Sequence, residues 1–296
     1  MKQILLLGGN GFIGRNLKEY LNSFSDKYAI DSPCRNELNI LDEVQVKKVL
    51  ESKYYDVVIH AAICNPVREN GITTNELEQD LRGFFNFEKY SELYGKMLYF
   101  GSGAEYDKTK DIISVTEEEF LNEIPKNNYG LAKYIIGKSI ENSKNIYNLR
   151  VFGLFGKYEN WKTTFISGAC CKAIKGLPIT IRQNVYFDYM YIDDFCKIVE
   201  WFVNNTPQYH TYNMSSGKKI DLISIANIIN SLVENPVPVY VCKEGYANEY
   251  TANNTRLLTE CSEYEMKNIL NNINNLVEYY RNEENYIDIY SLLYQS

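Results

Sequence analysis

Residues 3–24 read QILLLGGNGFIGRNLKEYLNSF. The apolar run Ile4–Leu7 is short enough to be a buried strand. Gly8, Gly11 and Gly14 follow at Gly-x-x-Gly-x-x-Gly spacing, and Phe12, Ile13, Leu17 and Leu21 then fall on one helical face. Strand, glycine turn and helix make a specific frame. Glycines let a pyrophosphate approach the backbone without side-chain clash, and the helix N-terminus offers it N–H groups and a positive dipole end. The expectation is dinucleotide binding.

The alternation continues. "YAI" reads as a second strand, "EVQVKKVL" as a helix and "DVVIHAA" as a third, buried strand ending in small residues. Repeated strand-helix units imply an α/β, doubly wound parallel sheet of the Rossmann type, with ligands at the carboxyl ends of its strands. Ala61 and Ala62 leave room for a cofactor there, whereas His60 reads as a packed strand residue.

Composition excludes several classes. The chain has 296 residues, 45% hydrophobic and 23% charged, as in an ordinary globular protein. A net charge of -7 argues against nucleic-acid binding, which needs a basic face. No apolar run is long enough to span a membrane, and no leader is expected in the first residues. Seven cysteines, at 34, 64, 170, 171, 196, 242 and 261, include no Cys-x-x-Cys pair. Free thiols and a cytoplasmic location are expected. With only His60 and His210 as histidines, no metal site is expected.

"KMLYFGSGAEYD" places Ser102 at the carboxyl end of another strand. "IPKNNYGLAKYIIGKSIENS" begins a helix near Asn127 or Asn128, either of which can serve as N-cap. Tyr129 and Lys133, four apart, share one face of that helix. A chance Tyr-x-x-x-Lys is common in a chain with 26 tyrosines, so context decides. A serine after one strand and a Tyr/Lys face on the next helix can converge on a nicotinamide ring.

The motifs "GGNGFIG", "HAA", "GSGAEY", "YGLAK", "NLRVFGLFG", "YMYIDD" and "YNMSSG", in this order, run through most of the chain. Together they resemble the extended short-chain dehydrogenase/reductases, of the nucleotide-sugar epimerase and reductase type. The resemblance implies Ser102, Tyr129 and Lys133 as catalytic residues. It implies cofactor contacts at Gly8, Gly11, Phe12, Ile13, Gly14, Arg35, Asn39, Ile40, Ala61, Ala62 and Lys133. Tyr129 would exchange a proton with the substrate oxygen. A phenol is ordinarily a weak acid, and the charge of Lys133 and of an oxidised nicotinamide would lower its pKa. Ser102 would orient the same oxygen.

Departures from the family pattern narrow the reaction. Sugar 4,6-dehydratases carry Asp-Glu directly after the catalytic serine or threonine; here those positions are Gly103 and Ala104, and Glu105 comes one residue late, aimed elsewhere. "RNELNILD" resembles the segment after the second strand in GDP-fucose synthase and related 4-keto-sugar reductases. That synthase also epimerises C3 and C5 with a cysteine two residues past the serine and a distant histidine. Here Ala104 holds the cysteine position, and no histidine lies between 60 and 210. The implied reaction is reduction of the C4 ketone of a nucleotide-linked 4-keto-6-deoxy sugar. The alternatives are an NAD-dependent 4-epimerase and a non-enzymatic cofactor sensor, though sensors tend to lose the tyrosine or lysine that this chain keeps.

Asp31 is the candidate for the ribose hydroxyls of NAD and Arg35 for the 2′-phosphate of NADP, with NADP(H) favoured. Substrate contacts are expected at Ser102, Gly103, Ala104 and Tyr129. Phe187 stands where many UDP-sugar relatives carry a phosphate-gripping arginine, so Arg182 or Arg256 is the expected substitute. Asp80 stands where the family often has an asparagine supporting the lysine. Residues 1–157 should form the cofactor domain, with 185–212 returning a strand and a helix to it, and 158–296 a smaller α/β substrate lobe. The family's habit implies a homodimer through helices around 74–94 and 129–143.

Overall fold

A computed structural model describes residues 1–63, 75–262 and 264–293. In chain order the elements are β1 (Lys2–Leu7), α1 (Phe12–Asn22), β2 (Tyr28–Asp31), α2 (Glu43–Ser52), β3 (Tyr55–His60), α3 (Glu76–Glu88) and β4 (Tyr94–Ser102). Then come β5 (Ile112–Val115), α4 (Asn128–Ile140), β6 (Ile146–Val151), β7 (Gly153–Phe155), α5 (Phe165–Ile174), β8 (Ile179–Asn184), β9 (Tyr186–Tyr191) and α6 (Ile192–Asn204). The chain continues with β10 (Thr211–Met214), β11 (Lys219–Asp221), α7 (Leu222–Leu232), β12 (Val239–Tyr246), β13 (Tyr250–Ala252), α8 (Thr255–Glu260), α9 (Ile269–Asn282) and α10 (Ile289–Leu293).

Six strands form a wholly parallel sheet in the order β10-β6-β4-β3-β1-β2. The chain winds outward from β1 to β2, then returns to β3 on the other side of β1. The β1/β3 boundary is therefore the switch point, where loops diverge and open a crevice. Side chains alternate across the sheet. Ile4, Leu6, Val57, Ile59, Leu98 and Phe100 face a core shared with Leu17 and Leu21 of α1 and Ile198 and Phe202 of α6. Leu5, Leu7, Val58, Met97 and Tyr99 face Val46 and Leu50 of α2, Phe84 and Phe87 of α3, and Ile136 and Ile140 of α4. Strands buried on both faces account for the near-continuous apolar runs read in the sequence.

A second sheet, in the order β11-β9-β13-β5 with β7 also paired to β9, gathers strands from distant parts of the chain. β8 and β12 pair as a separate two-stranded sheet. α5, α7 and α9 pack onto the same core as α1 and α6. The strand in "YFDYMY", expected to return to the cofactor sheet, is β9 and lies in the second sheet. What returns to the six-stranded sheet is α6 and β10. β6 already covers one side of β4, so the open edge beside β6 is the place left to fill, and β10 fills it.

No helix among the described residues is long and apolar enough to cross a membrane. Cys34, Cys170, Cys171, Cys196, Cys242 and Cys261 are free thiols. Cys64, and the start of the helix expected from residue 74, lie outside the described residues.

Candidate active site

Two cavities lie along the carboxyl edge of the parallel sheet, one of about 220 Å³ and one of about 150 Å³. Ile63, just past β3, lines both and joins them. Of the expected cofactor residues, Gly8, Arg35, Asn39, Ile40 and Ala62 line the larger cavity, and Gly11, Phe12, Ile13 and Ala61 line the smaller. Ser102 and Tyr129 line the smaller one too.

The glycine turn is built for close approach. Gly8 has φ +79°, a left-handed conformation that favours glycine. A Cβ there would stand 2.8 Å from the Ala61 backbone. Gly14 packs directly against the Gly8 backbone from inside α1 and lines neither cavity. At the start of α1, the N-cap Gly11 offers no side-chain cap and the first turn carries no acidic residue. The first-turn N–H groups thus lack a side-chain acceptor and a repelling charge, which fits a dinucleotide pyrophosphate.

Asp31 and Arg35 part company at the larger cavity. β2 ends at Asp31, whose carboxylate accepts from Lys53 Nζ at 2.8 Å and from the Tyr55 hydroxyl at 2.9 Å. Partial burial would raise its pKa, but those two bonds hold it below the ordinary value. Asp31 does not line the cavity, whereas the exposed Arg35 does. Asn39 and Ile40 are fixed behind it: Asn39 N–H donates to Gln45 at 3.0 Å, and the Ile40 carbonyl accepts from Asn86 at 2.8 Å.

At the other end, Asn127 caps α4 by accepting from Gly130 N–H at 2.7 Å. This sets Tyr129 in the first turn, half-buried over the cavity, with Lys133 one turn on. Burial raises the Tyr129 phenol to a pKa of about 12; a hydrogen bond received from Ser102 pulls it down, and the Asp80 and Glu105 charges push it up. The expected lowering by Lys133 is not found in this chain. Its ammonium stands 5.8 Å from the Tyr129 ring centre and donates instead to the Tyr99 hydroxyl at 2.6 Å and the Phe100 carbonyl at 3.1 Å. Lys133 is 1% exposed, and burial lowers its pKa against the opposing pull of Asp80 and Glu105. His60 is packed, as its strand position suggested, edge-on to Phe87 and tilted against Tyr99. Burial, then the Lys133 charge, brings it to a pKa of about 4.

Ser102 ends β4 and begins a single turn of 3-10 helix over Gly103–Glu105. Its Oγ accepts from Ala104 N–H at 3.1 Å, and its own N–H donates to Glu105 at 3.0 Å. Glu105 is fully buried and turned into the core, where Arg150 Nε donates to it at 2.7 Å and Asn148 Nδ2 at 3.0 Å. Gly103 and Ala104 are buried and line neither cavity. The two arginines are not brought to Ser102 and Tyr129. Arg182 falls on the outward face of β8 with Thr180, opposite inward Ile179 and Ile181. Arg256 donates to the Thr211 carbonyl at 2.9 Å and pairs with Glu118, so both its position and its charge are taken up.

No motif in the sequence points to Tyr250. This β13 residue is 6% exposed, and its hydroxyl reaches across to Gly103, beside Ser102. Nor did it reveal Ile63, Val151 and Phe152 as cavity walls, although "RVFG" was among the family motifs.

The family described as NAD dependent epimerase/dehydratase matches residues 4–215. An ADP-L-glycero-D-manno-heptose-6-epimerase from Brachyspira hyodysenteriae is 22% identical over 80% of this chain and 83% of its own. A GDP-6-deoxy-D-talose 4-dehydrogenase from Aggregatibacter actinomycetemcomitans is 22% identical over 73% and 74%. Among solved structures, a GDP-L-fucose synthetase from Naegleria fowleri superposes with TM-score 0.81 at 15% identity, covering 96% of this chain and 94% of that one. It has also been solved bound to NADP.

Proposed function

The chain belongs to the NAD dependent epimerase/dehydratase family of NAD(P)-dependent nucleotide-sugar enzymes, and from that premise we propose that it reduces the C4 ketone of a nucleotide-linked 4-keto-6-deoxy sugar. One observation carries the reading. Among the described residues lining the cavity beneath Tyr129, the only side chains able to give or hold a proton are Ser102 and Tyr129; the rest are apolar or glycine. Elimination or epimerisation at C3 and C5 needs a further acid–base pair, and ketone reduction does not.

When bound, the nicotinamide supplies the hydride. The residues proposed to hold the dinucleotide are the Gly8–Gly14 turn, Arg35, Asn39, Ile40, Ala61, Ala62 and Lys133. Tyr129 starts as the neutral phenol, because burial keeps its pKa near 12, and so holds the proton that reduction consumes. Ser102 donates to the ketone oxygen and fixes it for that transfer. Lys133 spends two of its three N–H donors on Tyr99 and Phe100 and has one left for a ribose hydroxyl. NADP(H) is favoured over NAD(H), since Asp31 is tied to Lys53 and Tyr55 while Arg35 lines the cavity. A homodimer through α3 and α4, which pack side by side, completes the proposal.

The test is cofactor exchange. The purified protein should carry little tightly bound dinucleotide and should consume one added NADPH per 4-keto-6-deoxy nucleotide sugar. In heavy water no deuterium should enter C3 or C5. Co-purified NAD⁺ with interconversion of C4 epimers and no added cofactor would replace the reductase with an epimerase.

A further inference from the structure

Ser102 has one proton and two acceptor lone pairs. Ala104 N–H takes one lone pair at 3.1 Å. If Ser102 is to donate to a substrate oxygen, its proton must point into the cavity, and the second lone pair then needs a donor. Tyr129 cannot serve, because its own proton goes to the same substrate oxygen.

The second sheet brings a tyrosine hydroxyl beside Ser102. Tyr250 pairs across β13 with Ile112 of β5 and Phe187 of β9. Its ring packs against Phe152, with centres 4.9 Å apart, and edge-on to Phe187 at 5.8 Å. The Lys108 ammonium covers the ring at 4.2 Å. Held this way, the Tyr250 hydroxyl fills the space a Cβ at residue 103 would occupy, so the glycine beside Ser102 is what admits it.

We infer that Tyr250 is a positioning residue for Ser102: its phenol O–H donates to Ser102 Oγ and leaves the serine proton for the substrate oxygen. This rests on the proposed role of Ser102. Burial, then the neighbouring Tyr129, raises the Tyr250 pKa; a hydrogen bond received from Ser102 would lower it, whereas one donated to Ser102 favours the neutral phenol. Tyr250 therefore remains a neutral donor throughout the working range. The arrangement also ties the cofactor sheet to the second sheet at the reacting oxygen, so the hydrogen bond that aims Ser102 comes from the substrate side of the molecule.

The experiment is a double-mutant cycle on NADPH oxidation by a 4-keto-6-deoxy nucleotide sugar, using Tyr250→Phe, Ser102→Ala and both together. Phenylalanine keeps the ring packing and removes only the hydroxyl. Tyr250→Phe is expected to lower kcat about tenfold, the worth of one such hydrogen bond, with KM changed less than about twofold. In the Ser102→Ala background it is expected to cost nothing further, since the group it acts through is gone. A wild-type kcat in Tyr250→Phe, or an equal further loss on top of Ser102→Ala, overturns the proposal. A second readout needs no turnover and no variant. In a crystal structure of the NADP⁺ complex, the Tyr250 and Ser102 hydroxyl oxygens should lie about 3 Å apart. A separation beyond about 4 Å overturns the inference whatever reaction the protein performs. If the separation is near 3 Å and no ketone is reduced, it is the reductase reading that fails.

Discussion

The Lys133 ammonium is bound at 2.6 Å to the hydroxyl of Tyr99, which lies on the same strand as Ser102 and three residues before it. β4 therefore supplies both the serine and the anchor for the lysine. Tyr99→Phe would remove one of the two acceptors that hold a buried cation. Burial already lowers the Lys133 pKa, and losing an acceptor lowers it further. The charged lysine would then be lost at lower pH, so the alkaline limb of kcat/KM should move down the pH scale. At neutral pH kcat/KM should fall about tenfold, as for a hydrogen bond to a charged group. An alkaline limb in the wild-type position would mean that Tyr99 does not hold Lys133 in the working enzyme.

Beneath Ser102, Glu105 and Arg150 form an ion pair at 2.7 Å with both side chains fully buried. Arg150→Met leaves the Glu105 carboxylate buried without its cation and should destabilise the protein by about 3–5 kcal/mol. Glu105→Gln together with Arg150→Met should cost clearly less than Arg150→Met alone. Urea unfolding of the two variants checks this. Equal losses would show that the pair's charges are not what matters.

His60 makes stability depend on acid. Its pKa is lowered from 6.5 to about 4 by burial, so between those values the unfolded chain binds a proton that the folded chain refuses. This contribution is complete above pH 6.5 and is lost as pH falls toward 4, by roughly 3 kcal/mol in all. His60→Gln should flatten that part of the stability curve relative to wild type. Parallel curves for the two proteins would remove His60 as the cause.

Arg35→Ala should weaken NADPH binding at least about tenfold, because a charged hydrogen bond to the extra phosphate is lost. NADH binding should change little, since NADH has no 2′-phosphate. Equal weakening of both cofactors, measured by fluorescence titration, would return the choice to Asp31 and NAD.

Local chemistry was legible in the sequence; distant company was not. The Gly8–Gly14 turn, the β4 serine and the Asn127 cap each carry their signal within a few residues, and each stands where the pattern put it. β9 looked like a sheet-returning strand because YFDYMY reads as a strand followed by a helix, and that pattern does not say which sheet the strand joins. Arg256 and Arg182 were chosen for charge, but pairing with Glu118 and the outward phase of β8 decided their places. Tyr250 was one tyrosine among 26, and only the second sheet brings it to Gly103.

The most direct test of the account is the rate of NADPH oxidation by a 4-keto-6-deoxy nucleotide sugar in wild type and in Tyr129→Phe. Tyr129 lines the cavity beside Ser102 and is held as a neutral phenol by burial. The variant should keep its fold and its NADPH affinity and lose about 10²–10⁴-fold in rate, the usual contribution of a positioned acid. A near-normal rate in Tyr129→Phe would contradict the account, because no other side chain lining that cavity among the described residues, Ser102 apart, has a proton to give.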